Sequence, residues 1–258
     1  MSALAGVLGF PVAHTRSPAM MTAAFAELGL DWRYLALPVA PDRFTETVRG
    51  LPASGYRGAN VTIPHKLAAH DLAGELTPAA AAIGAVNTFS FEDGGILGDN
   101  TDAGGLTDAL GIDPRGRRAL VLGAGGTGRA AVWALREAGA EVAIWNRTPE
   151  RAAALAAEFG VRQAATPDAA DVLVNVTSLG LLGEDLPAEV VLDAVEPEVV
   201  ADAVYGSEPT ALCRWAEQRG ARVVDGLDML VCQGARSFER WTGRPAPLDA
   251  MRRGARAV

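Results

Sequence analysis

A glycine-rich turn between an apolar run and a helical segment constrains the fold more than any other feature. Gly123, Gly125 and Gly128 have the spacing G-x-G-x-x-G, directly after the apolar run 118–122 and before a helical segment that ends near residue 138. The first glycine permits a tight turn, the second lets a pyrophosphate approach the backbone, and the third allows close helix–strand packing. A turn that binds nothing is the alternative, but the order of strand, turn, helix and next strand favours a dinucleotide site.

Strand-like and helical segments alternate along the chain. Predicted strands cover 4–8, 33–37, 59–63, 118–122, 141–145, 172–176, 199–204 and 222–224, with two further strand-like pieces before 98–102. Predicted helices cover 17–28 with Ser17 as N-cap, 41–49, a segment from 65, a segment from 78, the one ending near 138, 149–159, 209–219 and 227–241. This alternation predicts an α/β fold with parallel sheets covered on both faces. The 258 residues fit two modest domains, and the pattern places a boundary near residue 105.

Charge and cysteine content narrow the class of protein. The formal net charge of −8 argues against nucleic acid or an anionic membrane as partner. Cys213 and Cys232 are too few for a disulfide framework. No apolar run is long enough to span a bilayer, and no charged leader segment precedes one, so we expect a soluble cytoplasmic protein.

One basic residue differs from all the others. Of the 23 Lys and Arg residues, Lys66 is the only lysine. Coding bias toward arginine could leave one lysine by chance. However, arginine stays protonated at any working pH, whereas lysine can exchange a proton when burial and neighbouring charges tune it. Lys66 is therefore a candidate general acid–base.

The end of the strand 141–145 predicts which dinucleotide binds. A site for NAD usually has an acidic residue there to bond the ribose 2′-hydroxyl. This chain has Asn146, Arg147 and Thr148, followed by Arg151, and no acid. Two guanidinium groups could bind a 2′-phosphate, so the sequence favours NADP over NAD. A solvated helix start is the simpler interpretation, but it leaves the missing acid unexplained.

Asparagine is scarce, and each copy lies in a short polar stretch. The five copies are Asn60, Asn87, Asn100, Asn146 and Asn175. Amide side chains at strand ends can be simple turn formers. Three of them, in the part before residue 105, stand near Thr62, Lys66, Asp99 and Asp102, which predicts a polar pocket.

The sequence resembles the shikimate dehydrogenase family over essentially its whole length. The motifs that carry the resemblance are GFPVAHTRSP (9–18), GANVTIPHK (58–66), GAVNT (84–88), GDNTDAGG (98–105), GAGGTGRA (123–130), NRTPER (146–151), NVTS (175–178) and DGLDMLVCQGA (225–235). The family reduces 3-dehydroshikimate to shikimate with NADPH, in the route to chorismate and the aromatic amino acids. Resemblance implies a substrate-binding domain over 1–104, a Rossmann NADP-binding domain over 105–229, and C-terminal helices over 230–258 that return to the first domain.

Resemblance also implies a role for particular residues. Lys66 is the implied proton-transfer residue and Asp102 its partner. The residues implied to bind the substrate hydroxyls and carboxylate are Thr15, Ser17, Thr62, Asn87, Tyr205 and Gln233. The residues implied to bind the nucleotide are Gly123, Ala124, Gly125, Gly126, Thr127, Asn146, Arg147, Thr148 and Arg151, with Gly226 close to the nicotinamide.

Several features depart from the family pattern or stay open. Thr15 stands where serine is usual, and Asp228 replaces a small residue. Met20-Met21 replaces a small polar pair, and we expect this replacement to be a change in packing. Alternatives within the enzyme class are a quinate/shikimate or an aminoshikimate dehydrogenase, and outside it a non-catalytic sensor of shikimate-like ligands. A sensor would be expected to lose Lys66, Asp102 or the phosphate loop. Monomer and homodimer both stay open.

The three histidines are expected to be structural or solvated. His65 and His70 are five residues apart and do not share a helical face as a metal-binding pair would, and His14 lies far from both in sequence. We therefore predict no metal site. The arginines at 252, 253 and 256 are expected to form a solvated C-terminal end.

Overall fold

A computed structural model of the chain describes residues 2–92, 94–180, 190, 192 and 194–257. The chain divides into two compact units, Met1–Gly105 with Leu230–Val258, and Leu106–Met229. Each unit is an α/β layer structure with its own sheet. The predicted fold class, with the last helices belonging to the first unit, is confirmed. None of the helices in the described part of the chain has the length and apolar character that a membrane span requires.

The elements follow the predicted alternation. The strands are β1 (Ala3–Gly9), β2 (Trp32–Pro38), β3 (Tyr56–Val61), β4 (Glu75–Leu76), β5 (Thr88–Glu92), β6 (Gly95–Asp99), β7 (Arg118–Leu122), β8 (Glu141–Trp145), β9 (Arg162–Gln163), β10 (Val172–Asn175), β11 (Val199–Asp202) and β12 (Arg222–Val224). The α-helices are α1 (Ser17–Glu27), α2 (Phe44–Gly50), α3 (Lys66–Leu72), α4 (Pro78–Ile83), α5 (Thr101–Leu110), α6 (Gly126–Glu137), α7 (Pro149–Phe159), α8 (Ala211–Gln218), α9 (Gly226–Thr242) and α10 (Leu248–Arg256). The short strands β4 and β9 lack the apolar runs that sequence reading depends on.

The first sheet is mixed, in the order β2-β1-β3-β5-β6-β4. The prediction of a parallel sheet is wrong for β5, which runs antiparallel to both β3 and β6. The reason is the connection between β5 and β6, which is only two residues long and includes Gly94 at φ 79°. A connection of that length can only join antiparallel strands, because a parallel pair needs a long crossover.

The beginning of α1 also differs from the prediction. Arg16 occupies the N-cap position, and Ser17, predicted as the cap, is the first helical residue. The side chain of Thr15 takes the capping role predicted for Ser17, since Thr15 Oγ1 accepts a hydrogen bond from the Ser17 backbone N–H at 3.3 Å. Pro18 then lies in the first turn, where a missing N–H costs nothing.

The second sheet is parallel throughout, in the order β12-β11-β10-β7-β8-β9. Read from the other edge, this is the strand order 3-2-1-4-5-6 of a dinucleotide-binding fold. The strand order reverses between β7 and β10, so the carboxyl ends of these two strands form the crevice where ligands bind in such sheets. The apolar faces of α6 and α7 cover one side of this sheet.

The C-terminal helix α10 packs against α1 in the first unit. Gly254 lies so close to α1 that a Cβ there would be 2.7 Å from the Ala19 carbonyl oxygen. Ala250 and Met251 are buried on the same helix, whereas the arginines at 252, 253 and 256 are exposed as predicted. Met20 and Met21 are fully buried, which confirms them as packing residues.

Candidate active site and nucleotide-binding loop

The predicted catalytic pair forms a buried ion pair. Lys66 begins α3 directly after the turn that follows β3, and Asp102 lies in the first turn of α5. Lys66 Nζ lies 2.5 Å from Asp102 Oδ2, and the two residues are only 9% and 5% exposed. The amino end of α5 favours a carboxylate in its first turn. Because both charges are largely removed from water, each depends on the other and on further hydrogen bonds.

Asn87 supplies one of those hydrogen bonds. Its Nδ2 donates to Asp102 Oδ1 at 2.8 Å, the carboxylate oxygen opposite Lys66. The amide orientation follows from the backbone N–H of Thr101, which can only donate and lies 2.7 Å from Asn87 Oδ1. With Oδ1 turned toward Thr101, Nδ2 must point at the carboxylate.

Helix α9 brings Gln233 to the same group. Gln233 Oε1 lies 3.3 Å from Asn87 Nδ2, while its own Nε2 donates to the Leu230 carbonyl at 2.9 Å. The close approach depends on Gly105 in α5, where a Cβ would lie 2.6 Å from the Gln233 Cα atom. At the adjacent Gly104 a Cβ would meet only the guanidinium group of Arg236, the end of a flexible, exposed side chain that can move aside. Gly105 of the GDNTDAGG motif thus has a packing reason.

Asp99 anchors the loop before α5. Its Oδ2 pairs with Arg240 Nε at 2.7 Å, and its Oδ1 accepts from Thr77 Oγ1 at 2.6 Å and from the Asn100 backbone N–H at 2.8 Å. Asn100 in turn donates to the Ala85 carbonyl at 2.9 Å. Sequence reasoning missed Arg240, because an arginine in a long helix looks like an ordinary solvated residue.

Thr15, Ser17 and Thr62 lie at the carboxyl ends of two neighbouring parallel strands, β1 and β3. Thr15 and Ser17 follow β1, and Thr15 Oγ1 donates to Ser17 Oγ at 3.2 Å. Thr62 follows β3, and its backbone N–H donates to the Leu8 carbonyl at 2.9 Å. Their predicted contacts with substrate stay a prediction.

His65 is a structural residue, as expected. Its Nε2 lies 2.7 Å from the Val39 carbonyl, and its ring stacks on Phe44 with centroids 4.4 Å apart. Because a carbonyl can only accept, Nε2 carries the proton. Burial lowers the pKa of His65, which keeps the ring neutral next to Lys66.

In the second unit, the three motif glycines differ in whether the protein itself requires glycine. Gly123 has φ 116°, which favours glycine, and its N–H donates to the Trp145 carbonyl at 2.8 Å. A Cβ at Gly128 would overlap the Gly123 carbonyl oxygen, so only glycine allows this packing of α6. Gly125 has an ordinary φ of −87°, and a Cβ there would meet no protein atom within 4 Å among the described residues. Neither the backbone nor packing explains Gly125, and its predicted place beside a pyrophosphate stays a prediction.

The residues that follow β8 adjoin this loop. Asn146 Oδ1 accepts from the Ala124 N–H at 3.1 Å, and Asn146 Nδ2 donates to the Thr148 carbonyl at 3.0 Å. Arg147 and Arg151 are both exposed, and neither forms an ion pair within the described part of the chain. Thr127, in the first turn of α6, and Gly126, its first residue, complete the predicted loop.

Tyr205 and Gly226 also belong to the second unit. Tyr205 follows β11 and is partly buried. Gly226 begins α9, and a Cβ there would lie 2.5 Å from the Val204 carbonyl oxygen. Their predicted contacts with substrate and nicotinamide stay predictions, as does the role of Asp228, whose N–H donates to Asp225 Oδ1 at 2.8 Å.

The sequence did not indicate a buried carboxylate at the end of β11. Asp202 is 1% exposed, and it accepts hydrogen bonds from Asn175 Nδ2 at 2.8 Å, Thr210 Oγ1 at 2.6 Å and the Val204 N–H at 3.1 Å. Burial raises the pKa of Asp202, although its hydrogen bonds oppose that shift. This carboxylate joins β10, β11 and the start of α8.

Comparison with known proteins decides the family. Residues 7–89 match the shikimate dehydrogenase substrate binding domain, residues 108–178 match shikimate / quinate 5-dehydrogenase, and residues 226–255 match the shikimate 5'-dehydrogenase C-terminal domain. A curated shikimate dehydrogenase (NADP(+)) of Anaeromyxobacter dehalogenans is 47% identical, over 99% of this chain and 96% of the relative. The chain belongs to the shikimate dehydrogenase family.

Two further members of the family show how far the similarity extends. The shikimate dehydrogenase (NADP(+)) of Methanopyrus kandleri is 44% identical over 96% of this chain and 92% of its own. The crystal structure of shikimate 5-dehydrogenase from Thermus thermophilus, in complex with NADP(H) and shikimate, superimposes with a TM-score of 0.90. That match has 42% identity and covers 99% of each chain. The resemblance of the eight motifs to this family is confirmed.

Proposed function

We propose that this chain catalyses the reversible, NADPH-dependent reduction of 3-dehydroshikimate to shikimate, a step in chorismate and aromatic amino acid biosynthesis. The observation that carries the proposal is the buried Lys66–Asp102 ion pair, in a chain 47% identical to a shikimate dehydrogenase (NADP(+)). The alternative of a non-catalytic sensor predicts loss of this pair, and both residues are present and in contact.

Lys66 is the proposed proton donor. When a ring ketone is reduced, its oxygen gains negative charge and must receive a proton. The Lys66 ammonium can stabilise that charge and transfer a proton from Nζ to the oxygen, which leaves a neutral amine that solvent reprotonates. In the direction of shikimate oxidation, the same nitrogen accepts the hydroxyl proton. Arginine could not do this, which gives the single lysine of the chain a chemical reason.

Asp102 and Asn87 are proposed to orient the ammonium. Asp102 Oδ2 holds Lys66 Nζ at 2.5 Å, and Asn87 holds the other carboxylate oxygen at 2.8 Å. The Asp102 carboxylate, restrained at both oxygens, keeps its position through the reaction. Electrostatic stabilisation is effective when the charged groups are held in place in this way. Asn87, with Gln233 next to it, also offers amide groups for a substrate hydroxyl.

The residues of the second unit fit NADP. The open space beside Gly125 leaves room for a pyrophosphate at the amino end of α6, where the positive end of the helix dipole favours anions. Arg147 and Arg151 are exposed and available for a 2′-phosphate, while Asn146 fixes the loop. When bound, NADPH supplies the hydride that the ketone carbon receives. The loop Gly123–Thr127, Asn146, Arg147, Thr148 and Arg151 would hold it, with Gly226 near the nicotinamide.

The remaining polar side chains are proposed to recognise the substrate. Thr15, Ser17, Thr62 and Tyr205 would bind its hydroxyl and carboxylate groups. A substrate rich in hydroxyls needs matched donors and acceptors, because buried polar groups without partners are costly. The extra methyl of Thr15, compared with serine, is the feature that favours testing quinate as a second substrate.

The partners of the chain are proposed to be small molecules only. We propose a cytoplasmic location and assembly as a monomer or homodimer.

The test is the initial rate of nicotinamide reduction with shikimate, quinate or aminoshikimate, each with NADP and with NAD. Strong activity only with shikimate and NADP is expected. Comparable activity with quinate or aminoshikimate would move the chain to a broader branch of the family. Folded protein that binds NADP but turns over none of the substrates would overturn the enzyme proposal in favour of the sensor.

A further inference from the structure

Three buried hydroxyl groups lie between two asparagine side chains in the first unit. Ser237 Oγ lies 2.9 Å from Thr88 Oγ1 and 3.2 Å from Thr101 Oγ1, and the two threonine oxygens are 3.2 Å apart. All three residues are at most 4% exposed. We call Thr88, Thr101 and Ser237 the hydroxyl triangle. No polar motif of the sequence marks Ser237, which lies one helical turn after Gln233 in α9.

Asn60 holds one side of the triangle. Its Oδ1 accepts from Tyr34 Oη at 2.7 Å, so its Nδ2 must be the group that donates to Ser237 Oγ at 2.8 Å and to Thr88 Oγ1 at 3.0 Å. The same Nδ2 also lies 3.3 Å from the Asn87 carbonyl, an obligate acceptor, which fixes the amide orientation independently.

Asn87 holds the other side. Its Oδ1 accepts from Thr88 Oγ1 at 3.0 Å, and its Nδ2 lies 3.0 Å from Thr101 Oγ1 as well as 2.8 Å from Asp102 Oδ1. The triangle therefore connects strand β3, strand β5 and helices α5 and α9 to the one amide that restrains the Asp102 carboxylate.

We infer that Ser237 is a positioning residue, which holds the Asn87 amide, and through it Asp102 and Lys66, in the geometry needed for proton transfer. The expected effect of Ser237 on kcat rests on the proposed function. The expected effect of Ser237 on the position of the Asn87 amide does not. Ser237 is the member of the triangle that belongs to α9. Its Oγ accepts a hydrogen bond from Asn60 Nδ2, so its own O–H can donate to Thr88 Oγ1, Thr101 Oγ1 or the Gln233 carbonyl at 3.3 Å.

The chain contains a matched control for this inference. Ser90 lies in β5, two residues after Thr88, and is 1% exposed, as buried as Ser237. Its Oγ has no hydrogen-bond partner among the described residues. Ser90→Ala therefore removes an equally buried hydroxyl from the same unit without touching the triangle.

The experiment compares Ser237→Ala, Ser90→Ala and Thr88→Val, which is close to isosteric with threonine. The first readout is kcat and KM for shikimate at saturating NADP. Ser237→Ala is expected to lower kcat about tenfold, with KM changed much less, because loss of one network hydrogen bond disturbs proton transfer more than binding. Ser90→Ala should retain wild-type kcat. The double variant Ser237→Ala/Thr88→Val should lose no more than the worse single variant, since both changes break the same network.

The second readout is the mobility of the Asn87 side-chain amide, from isotope-edited spectra of the substrate-free protein. Ser237→Ala should increase it and Ser90→Ala should not. An unchanged Asn87 amide in Ser237→Ala, or a kcat equal to that of Ser90→Ala in an active enzyme, overturns the inference. If the wild-type protein is inactive but Ser237→Ala still increases the mobility of the Asn87 amide, the proposed function fails and the positioning role of Ser237 stands.

Discussion

Lys66 Nζ and Asp102 Oδ2 lie 2.5 Å apart in a pair that is almost fully removed from solvent. Lys66 begins α3, Asp102 lies in the first turn of α5, and the two are separated by 36 positions in the sequence. Each is the neutralising partner of the other, so removing either would leave a buried unpaired charge and destabilise the first unit.

Lys66→Ala should abolish turnover while NADP binding persists. Loss of a positioned acid–base group lowers the rate by about 10²–10⁴. The variant should also unfold more easily, by about 3 kcal/mol, because Asp102 is then buried without this cation. Lys66→Ala/Asp102→Asn should regain part of that stability and none of the activity. Steady-state kinetics, NADP titration and denaturant unfolding check these effects. A double variant no more stable than Lys66→Ala would contradict the coupling.

Alanine at two motif glycines should separate cofactor binding from folding. At Gly125 the new Cβ meets open space at an ordinary φ, so stability should stay at the wild-type level while NADP affinity falls about tenfold, or 1.4 kcal/mol. At Gly123, φ 116° and a Cβ contact of 3.0 Å with Thr177 Cγ2 should cost about 1–3 kcal/mol of stability. Thermal unfolding and NADP titration of both variants give the comparison. Destabilisation by Gly125→Ala would refute the assignment of that glycine to the ligand.

Arg147→Ala and Arg151→Ala should weaken NADP selectively. Because both side chains are exposed and unpaired by acids in the described part of the chain, their removal should leave folding unaffected. A charge-assisted bond to the 2′-phosphate contributes about 1.5–3 kcal/mol, so KM for NADP should rise about ten- to hundredfold. KM for NAD, which lacks that phosphate, serves as the internal control. An equal rise for both cofactors would place the arginines elsewhere on the nucleotide.

Asp202 should make the second unit less stable as pH rises. Burial raises the pKa of Asp202 above its ordinary 3.8, so the folded state binds the proton more tightly than the unfolded state. The resulting stabilisation is fully present below pH 3.8 and is lost as pH rises through the folded-state pKa. Asp202→Asn should therefore gain stability relative to wild type as pH is raised from about 4.

Asp171 provides a control of opposite sign for that experiment. Its hydrogen bond with Arg118 holds the pKa of Asp171 below 3.8, so its stabilising contribution is present above that value and is lost as pH falls. Asp171→Asn should therefore lose stability relative to wild type at neutral pH and approach it in acid. Thermal unfolding across pH measures both variants. Parallel trends for the two would contradict the burial argument for Asp202.

The sequence by itself determined the features that depend on local pattern. Alternating apolar and helical segments predicted the α/β class, the spacing of Gly123, Gly125 and Gly128 predicted the nucleotide loop, and the missing acid beside Arg147 predicted NADP. The single lysine marked Lys66, because lysine can exchange its proton where arginine stays protonated at any working pH. These features are visible because each is contained in one short segment or one residue type.

Only the tertiary structure decided which side chains meet. Asn87 before β5, Asp102 in α5 and the α9 residues Gln233 and Ser237 come from different parts of the chain, and whether an amide nitrogen faces a carboxylate depends on strand register and helix position. The antiparallel direction of β5, the pairing of Arg240 with Asp99 and the burial of Asp202 have the same origin. Hydrogen bonds at 2.5–3.3 Å require positions that long-range packing sets. The asparagines therefore predicted that polar groups would gather here, but not which of them would bond to one another.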